Sequence, residues 1–318
     1  MTKPLFLLWT DGADAYRKAI SEAGLDQRIR LEELPRNATP NAEQLQEAEA
    51  MLTWGPPAGM LAQMPKLRWA QALTAGVEHW LARADLPPGL TLTCARGTHR
   101  VQMPENILGA LFHITKPYAA IVGDNAAATW TRRVSSTLAG QTLGILGLGA
   151  IGQELARKAA ALEMRVIGTR RAGGTLPHVE RVYTPAETDE VLAQSDFVVL
   201  LLPATPETEN IINAARLSRM KKTAWLLNFG RGALIDDAAL VAAAKAGTIA
   251  GAILDVFRQE PLPKEDPFWS TENVLVLPHI GGLHPERDSM VAALLVENLR
   301  RFLDGAPLKE VVDRKAGY

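Results

Sequence analysis

A single cysteine, Cys94, stands in the 318 residues, which excludes an internal disulfide and a cysteine-based metal centre. No run of about 18 apolar residues occurs, so no membrane-spanning helix is expected. Charge of one sign is missing too. The 34 basic residues face 35 acidic ones, which leaves no electrostatic case for a nucleic-acid partner or an anionic membrane surface. There is no internal repeat, low-complexity tract or charge block. The opening stretch Met1–Asp11 holds too short an apolar segment for a signal peptide and meets an acid at once. It reads as a first buried strand, and the chain as a soluble cytoplasmic protein. The histidines form no cluster with metal-ligand spacing, so no metal is expected. Cys94 falls in the apolar segment Leu90–Ala95 and reads as a packed strand thiol.

What is present is apolar material in quantity. At 47% hydrophobic residues the chain can bury a large core, and its length suggests two domains. Short apolar runs alternate with Ala-rich helical stretches from end to end, the signature of parallel sheets with crossover helices. Candidate strands are Leu5–Trp9, Ala50–Trp54, Leu67–Leu73 and Leu90–Ala95. The middle of the chain supplies Thr142–Leu146, Met164–Gly168, Asp196–Leu202, Ala224–Asn228, Ile249–Asp255 and Val274–Pro278. Two long helices are expected, one from about Pro104 to about Ile121 and one starting near Pro285, with Val291, Leu295, Leu299 and Phe302 on one face. If these helices pair, the tail returns to the first domain. The expected arrangement is therefore a discontinuous domain, 1–98 plus 284–318, with a second domain, 99–283, inserted into it.

Gly147-Leu148-Gly149-Ala150-Ile151-Gly152 is a G-x-G-x-x-G. Such a match is weak alone, but here an apolar strand leads in and an Ala-rich helix leads out, as dinucleotide binding requires. Gly147 allows the tight turn, Gly149 lets the backbone approach a pyrophosphate, and Gly152 permits close packing of helix on strand. The N–H groups of Ala150 and Ile151 at the helix start are available to phosphate oxygens. The end of the next strand separates NAD from NADP. An acid there binds the ribose 2′-hydroxyl, whereas arginines accept a 2′-phosphate. The segment Thr169-Arg170-Arg171-Ala172-Gly173-Gly174 carries no acid until Glu180. Arg170 and Arg171 point to NADP(H) over NAD(H).

Three further segments place polar residues at strand ends: Asn228-Phe229-Gly230-Arg231-Gly232, Asp255-Val256-Phe257-Arg258-Gln259-Glu260-Pro261, and Pro278-His279-Ile280-Gly281-Gly282. With the glycine fingerprint, with Leu202-Pro203-Ala204-Thr205-Pro206-Glu207-Thr208, with the Thr74-Ala75-Gly76-Val77-Glu78-His79 loop and with the tail Val311–Tyr318, the chain resembles the D-isomer-specific 2-hydroxyacid dehydrogenases over essentially its whole length. The resemblance implies two Rossmann-like doubly wound parallel-sheet domains, the cofactor domain inserted into a discontinuous flavodoxin-like substrate domain. It also implies reduction of a small 2-keto acid of the glyoxylate or hydroxypyruvate type, and a homodimer through the cofactor domain.

The chemistry can be argued from the residues as well. Reducing a 2-keto acid needs a cation for the carboxylate, a proton donor for the developing alkoxide, and a hydride donor. Arg231 has the planar fork suited to a carboxylate, and by resemblance it also polarises the keto oxygen. His279 can supply the proton, because imidazole titrates near neutral pH. Glu260 would hydrogen-bond its other ring nitrogen, and a carboxylate so placed favours the charged form of an imidazole. By resemblance, Leu202, Pro203, Phe229, Gly230, Asp255, Gly281 and Gly282 line the cofactor, and backbone N–H groups of Ala75, Gly76 and Val77 meet the substrate carboxylate together with Arg231.

Several positions depart from the family pattern. Phe229 stands where Thr is frequent, Asn106 follows Glu105 where His is frequent, and Leu283-His284 lacks a Thr. His79 is read as outside the pocket, His99, His113 and His178 as helix or loop surface, and Trp54 either as a pocket cap or as core. Trp130, Val134 and Leu138 in the Ala126–Gly140 connection would suit a buried dimer interface. Two alternatives stay open: a phosphite dehydrogenase-like enzyme on the same fold, and a dinucleotide-sensing corepressor-like protein. The side chain of the keto acid is not fixed by these residues.

Overall fold

Alternation of large apolar side chains builds both sheets. In the computed structural model, which describes residues 3–317, the described residues divide into two compact units. Unit 1 takes in the residues up to Thr98 and those from His284 onward, and unit 2 is His99–Leu283. Unit 1 holds β1 (Leu5–Trp9), β2 (Arg30–Leu34), β3 (Ala48–Thr53), β4 (Trp69–Ala72) and β5 (Thr91–Thr93) in the order β2-β1-β3-β4-β5, all parallel. Within β1 the side chains of Leu5, Leu7 and Trp9 enter one core layer, and Phe6 and Leu8 enter the other. That split follows from the two-residue period of a strand whose two faces are both covered. The helix Arg287–Leu303 covers the second face with Val291, Leu295 and Leu299, one helical turn apart, and packs beside the helix Asp14–Glu22. Cys94 is buried just past β5, and burial pushes its thiol pKa up.

Unit 2 holds β6 (Thr142–Leu146), β7 (Arg165–Thr169), β8 (Arg181–Tyr183), β9 (Phe197–Leu200), β10 (Trp225–Asn228), β11 (Gly251–Leu254) and β12 (Val274–Val276). Their order is β12-β11-β10-β9-β6-β7-β8, again all parallel. Strand order reverses at β6, so the chain runs outward on either side of the β6/β9 boundary. In unit 1 the corresponding reversal lies at β1/β3. Open α/β sheets bind ligands in the crevice at such a point. No helix among the described residues is long and apolar enough to cross a membrane.

Three expectations are corrected. The sequence pattern does not disclose β2 and β8, because both are edge strands carrying charge, Arg30-Leu31-Glu32-Glu33-Leu34 and Arg181-Val182-Tyr183, and an edge needs no continuous apolar run. The helix expected from about Pro104 to about Ile121 is two helices, Gln102–Thr115 and Tyr118–Ala126. Lys116 between them is extended (φ −116°, ψ 138°), as the residue before a proline tends to be, and Pro117 cannot donate the next helical bond. Leu138 is not an interface residue, since it is buried in unit 2's own core.

Leu295 is fully buried between its helix and the unit 1 sheet. Leu295→Ala should cost about 2–5 kcal/mol through lost burial and an unfilled cavity. Calorimetry is expected to show a lowered unfolding transition.

Candidate active site

The glycine loop sits at the β6/β9 reversal. Gly147 has φ +113°, a conformation that suits glycine, and a Cβ there would lie 2.9 Å from the Leu201 carbonyl carbon. A Cβ on Gly152 would lie 2.3 Å from the Gly147 oxygen, so the helix Ala150–Ala161 can pack onto β6 only without a side chain at that position. Gly149 differs, facing open space within 4 Å. Among the described residues the N–H groups of Gly149, Ala150 and Ile151 have no acceptor. Free N–H groups at the start of a twelve-residue helix, with nothing crowding Gly149, form a cradle that fits a pyrophosphate.

The end of β7 is tied to this loop, because Leu148 N–H donates to the Thr169 carbonyl at 2.9 Å. Arg170 and Arg171 follow at once, both exposed. Glu180, the nearest following acid, is held elsewhere. It pairs with Arg165 at 2.8 Å, at the opposite end of β7, about 13 Å away along a four-residue rise. The Glu180 carboxylate is thus engaged at the end of β7 opposite to Arg170 and Arg171.

Arg231 follows β10 through a turn clamped by Asn228. The Asn228 Oδ1 accepts from Gly230 N–H at 3.0 Å, and its Nδ2 donates to the Arg231 carbonyl at 2.9 Å. Asn228 is buried, and the clamp gives its amide both partners. Sequence reasoning assigned it no role, since a strand-end asparagine looks like an ordinary turn residue. The Arg231 Nη1 donates to the Gly230 carbonyl at 2.7 Å. A Cβ on Gly230 would meet the Leu202 oxygen at 2.9 Å, so the segments after β9 and β10 lie backbone to backbone. Phe229 points its side chain into the core.

His279 and Glu260 meet. Their Nδ1 and Oε2 are 2.6 Å apart, while Oε1 accepts from Phe257 N–H at 2.9 Å and so anchors the carboxylate to its own turn. His279 has φ +53°, a left-handed conformation that costs energy in a residue other than glycine and concentrates at working sites. The loop that follows is held from two sides. Asp255, buried, accepts from Ile280 N–H at 2.7 Å and Gly281 N–H at 2.8 Å, and burial pushes its carboxyl pKa up against the pull of those two bonds. Asn106 donates to the carbonyls of Ile280 at 3.2 Å and Gly281 at 3.1 Å. The asparagine noted above as a departure thus acts as a brace for the His279 loop. Arg231, Glu260 and His279 follow three strands adjacent in the sheet, β10, β11 and β12, at their carboxyl ends.

In unit 1 a turn follows β4. Thr74 Oγ1 donates to the Gly76 carbonyl at 2.6 Å, and the N–H groups of Ala75, Gly76 and Val77 have no acceptor among the described residues. Successive unpaired N–H groups form a concavity suited to an anion. His79 is exposed and lines a cleft of unit 1 together with Trp54. One expectation needs revision: His99 is half-buried against Gly282 in unit 2, not on the surface. His113 and His178 are exposed.

Residues 108–281 match the family model described as D-isomer specific 2-hydroxyacid dehydrogenase, NAD binding domain. The chain is 32% identical to a glycerate dehydrogenase of Methylorubrum extorquens over 96% of this chain and 98% of that one. A D-isomer specific 2-hydroxyacid dehydrogenase from Xanthobacter autotrophicus Py2, crystallised with NADPH and MES, superposes with a TM-score of 0.87 at 30% identity, covering all of both chains. An NADPH-dependent glyoxylate/hydroxypyruvate reductase from Sinorhizobium meliloti, in complex with NADP and sulfate, superposes at 0.84 with 29% identity, again over both whole chains.

Proposed function

Because the chain belongs to the D-isomer specific 2-hydroxyacid dehydrogenase family, we propose that it reduces the ketone of a small 2-keto acid, such as glyoxylate or hydroxypyruvate, to the D-2-hydroxy acid with NADPH. The observation that carries this reading is the 2.6 Å contact between His279 Nδ1 and Glu260 Oε2, one strand over from the arginine turn of β10. With its Nδ1 proton committed to Glu260, the ring has one nitrogen left for chemistry. The Nε2 makes no hydrogen bond among the described residues. In the charged imidazole Nε2–H is a donor, and in the neutral one it is a bare acceptor. The same atom therefore protonates the alkoxide in reduction and takes the hydroxyl proton in oxidation.

Arg231 holds the substrate carboxylate and polarises the keto oxygen, in a position fixed by the Asn228 clamp. The carboxylate-binding loop that the family resemblance implies is assigned to the N–H groups of Ala75, Gly76 and Val77 in unit 1. Gly147, Gly149, Ala150, Ile151 and Gly152 would hold the pyrophosphate. Leu202, Pro203, Phe229, Gly230, Gly281 and Gly282 would line the rest of the cofactor, and Asp255 would meet the nicotinamide amide with lone pairs left over from its two backbone bonds. When bound, the reduced nicotinamide supplies the hydride. NADPH is the preferred form because Arg170 and Arg171 stand where a ribose-binding acid would be needed for NADH. We assign the family's homodimer contact to the exposed apolar side chains of Tyr118, Val122, Trp130 and Val134, the last two 93% and 97% exposed.

Oxidation of NADPH and NADH with a panel of 2-keto acids tests this reading. Turnover with an NADPH preference of tenfold or more in kcat/KM is expected. In R170S/R171S that preference should collapse by about tenfold or more, since each arginine contributes a charge-assisted bond to the phosphate. NADPH binding with no turnover across the panel would identify a dinucleotide sensor instead.

A further inference from the structure

We propose that the cleft at the carboxyl ends of β2, β3 and β4 selects 2-keto acids whose side chain carries a second anionic group, with Arg36 as the residue that determines this specificity. The proposal rests on the reading of the enzyme as a 2-keto acid reductase and names its substrate class. The cleft has a volume of about 380 Å³, and its lining includes Arg36, Trp54, Gly55, Thr74, His79 and Arg83. It lies at the β1/β3 reversal of unit 1, where an open parallel sheet takes its ligand. Thr74 opens the Ala75–Val77 turn proposed above for the substrate carboxylate, so the cleft adjoins that end of the substrate. Glyoxylate has no side chain and hydroxypyruvate only a hydroxymethyl group. Both leave most of such a volume unfilled, and ligand pockets start at about 300 Å³.

The lining holds three basic side chains and no acid. Two of the three are already engaged. Arg83 is paired with Asp85 through Nε and Nη2 at 2.9 and 2.8 Å, and it donates to the Pro56 carbonyl at 2.5 Å and the Pro57 carbonyl at 2.8 Å. His79 Nε2 is 2.9 Å from the Trp54 carbonyl oxygen and so carries its proton there. Arg36 is different. Its backbone N–H donates to Asp11 at 3.0 Å, but its guanidinium makes no ion pair or hydrogen bond among the described residues.

The Arg36 guanidinium is nonetheless held in place. It stacks on the Trp54 ring at 5.0 Å from the centroid, and the indole is itself located by an Nε1–H bond to Thr10 Oγ1 at 3.2 Å and by a second stacked arginine, Arg287, at 4.8 Å. Arg287 spends its charge on Asp288. A stacked guanidinium keeps all five of its donors available in the ring plane. It is pre-organised for a planar carboxylate or a phosphate, which it can grip with two bonds. A second cleft of about 300 Å³ shares Arg36 and Gly55, so the guanidinium stands on the wall between two spaces that an acidic side chain can enter.

The test is a comparison of kcat/KM, with saturating NADPH, for 2-ketoglutarate, phosphohydroxypyruvate and the neutral 2-ketopentanoate, in the wild type, Arg36→Gln and Arg36→Lys. The wild type should prefer at least one acid-tailed substrate over 2-ketopentanoate by tenfold or more. Whichever it prefers tells carboxylate from phosphate. Arg36→Gln should lower that ratio by about tenfold or more, chiefly through KM, and Arg36→Lys should restore part of it. Equal use of charged and neutral tails overturns the proposal, as does a parallel loss for all substrates in Arg36→Gln, which would mark a structural role. Those outcomes leave the reductase reading intact. Absence of turnover with every keto acid overturns both.

Discussion

His279→Asn is expected to lower kcat for glyoxylate reduction by about a hundredfold or more while NADPH still binds, as read by fluorescence titration. The magnitude is that of losing one donor to charge developing in the transition state. Asparagine is the informative replacement because His279 has φ +53°, and asparagine tolerates that left-handed region better than alanine does. A loss in His279→Asn therefore reports the missing acid rather than a distorted turn. Glu260→Gln should fall in between. It keeps a hydrogen-bond partner for Nδ1 but removes the negative charge, and it weakens the anchor to Phe257 N–H. Turnover within a few-fold of wild type in His279→Asn would remove the proton-transfer role.

Arg231→Ala should be comparably damaging but should distribute its effect differently. The guanidinium binds the carboxylate in the ground state and the developing oxyanion in the transition state, so KM should rise and kcat should fall together. A combined loss on the order of a thousandfold in kcat/KM corresponds to about 4 kcal/mol. Arg231→Lys should recover little, because an ammonium cannot reproduce the two-pronged grip. An unchanged KM for the keto acid in Arg231→Ala would show that the carboxylate is held elsewhere.

The sequence disclosed most where one physical requirement dictates one residue type. Gly152 must lack a side chain for a helix to lie on β6, and β6 itself reads as a continuous apolar run because both its faces are covered. The meeting of His279 with Glu260 could be anticipated from chemistry, since an imidazole that moves a proton needs an orienting acceptor. What escaped was whatever depends on three-dimensional neighbours. Asn228, Asn106 and Arg36 are polar residues at a strand end, on a helix and in a loop, and nothing local separates a brace or a ligand-facing cation from a solvated side chain. Asn106 looked like a deviation until its amide was seen to hold two carbonyls of the His279 loop. Leu138 erred the other way, an apolar residue in an irregular segment whose partner is its own core.

Arg231, Glu260, His279 and the glycine cradle all come from one uninterrupted stretch, His99–Leu283, whereas Arg36, Trp54 and the Ala75–Val77 turn come from the segment ahead of it. Redox machinery and recognition of the rest of the substrate are therefore written in separate parts of the gene. Descendants could acquire new keto acids by rewriting the leading segment alone, with the proton relay passed down untouched.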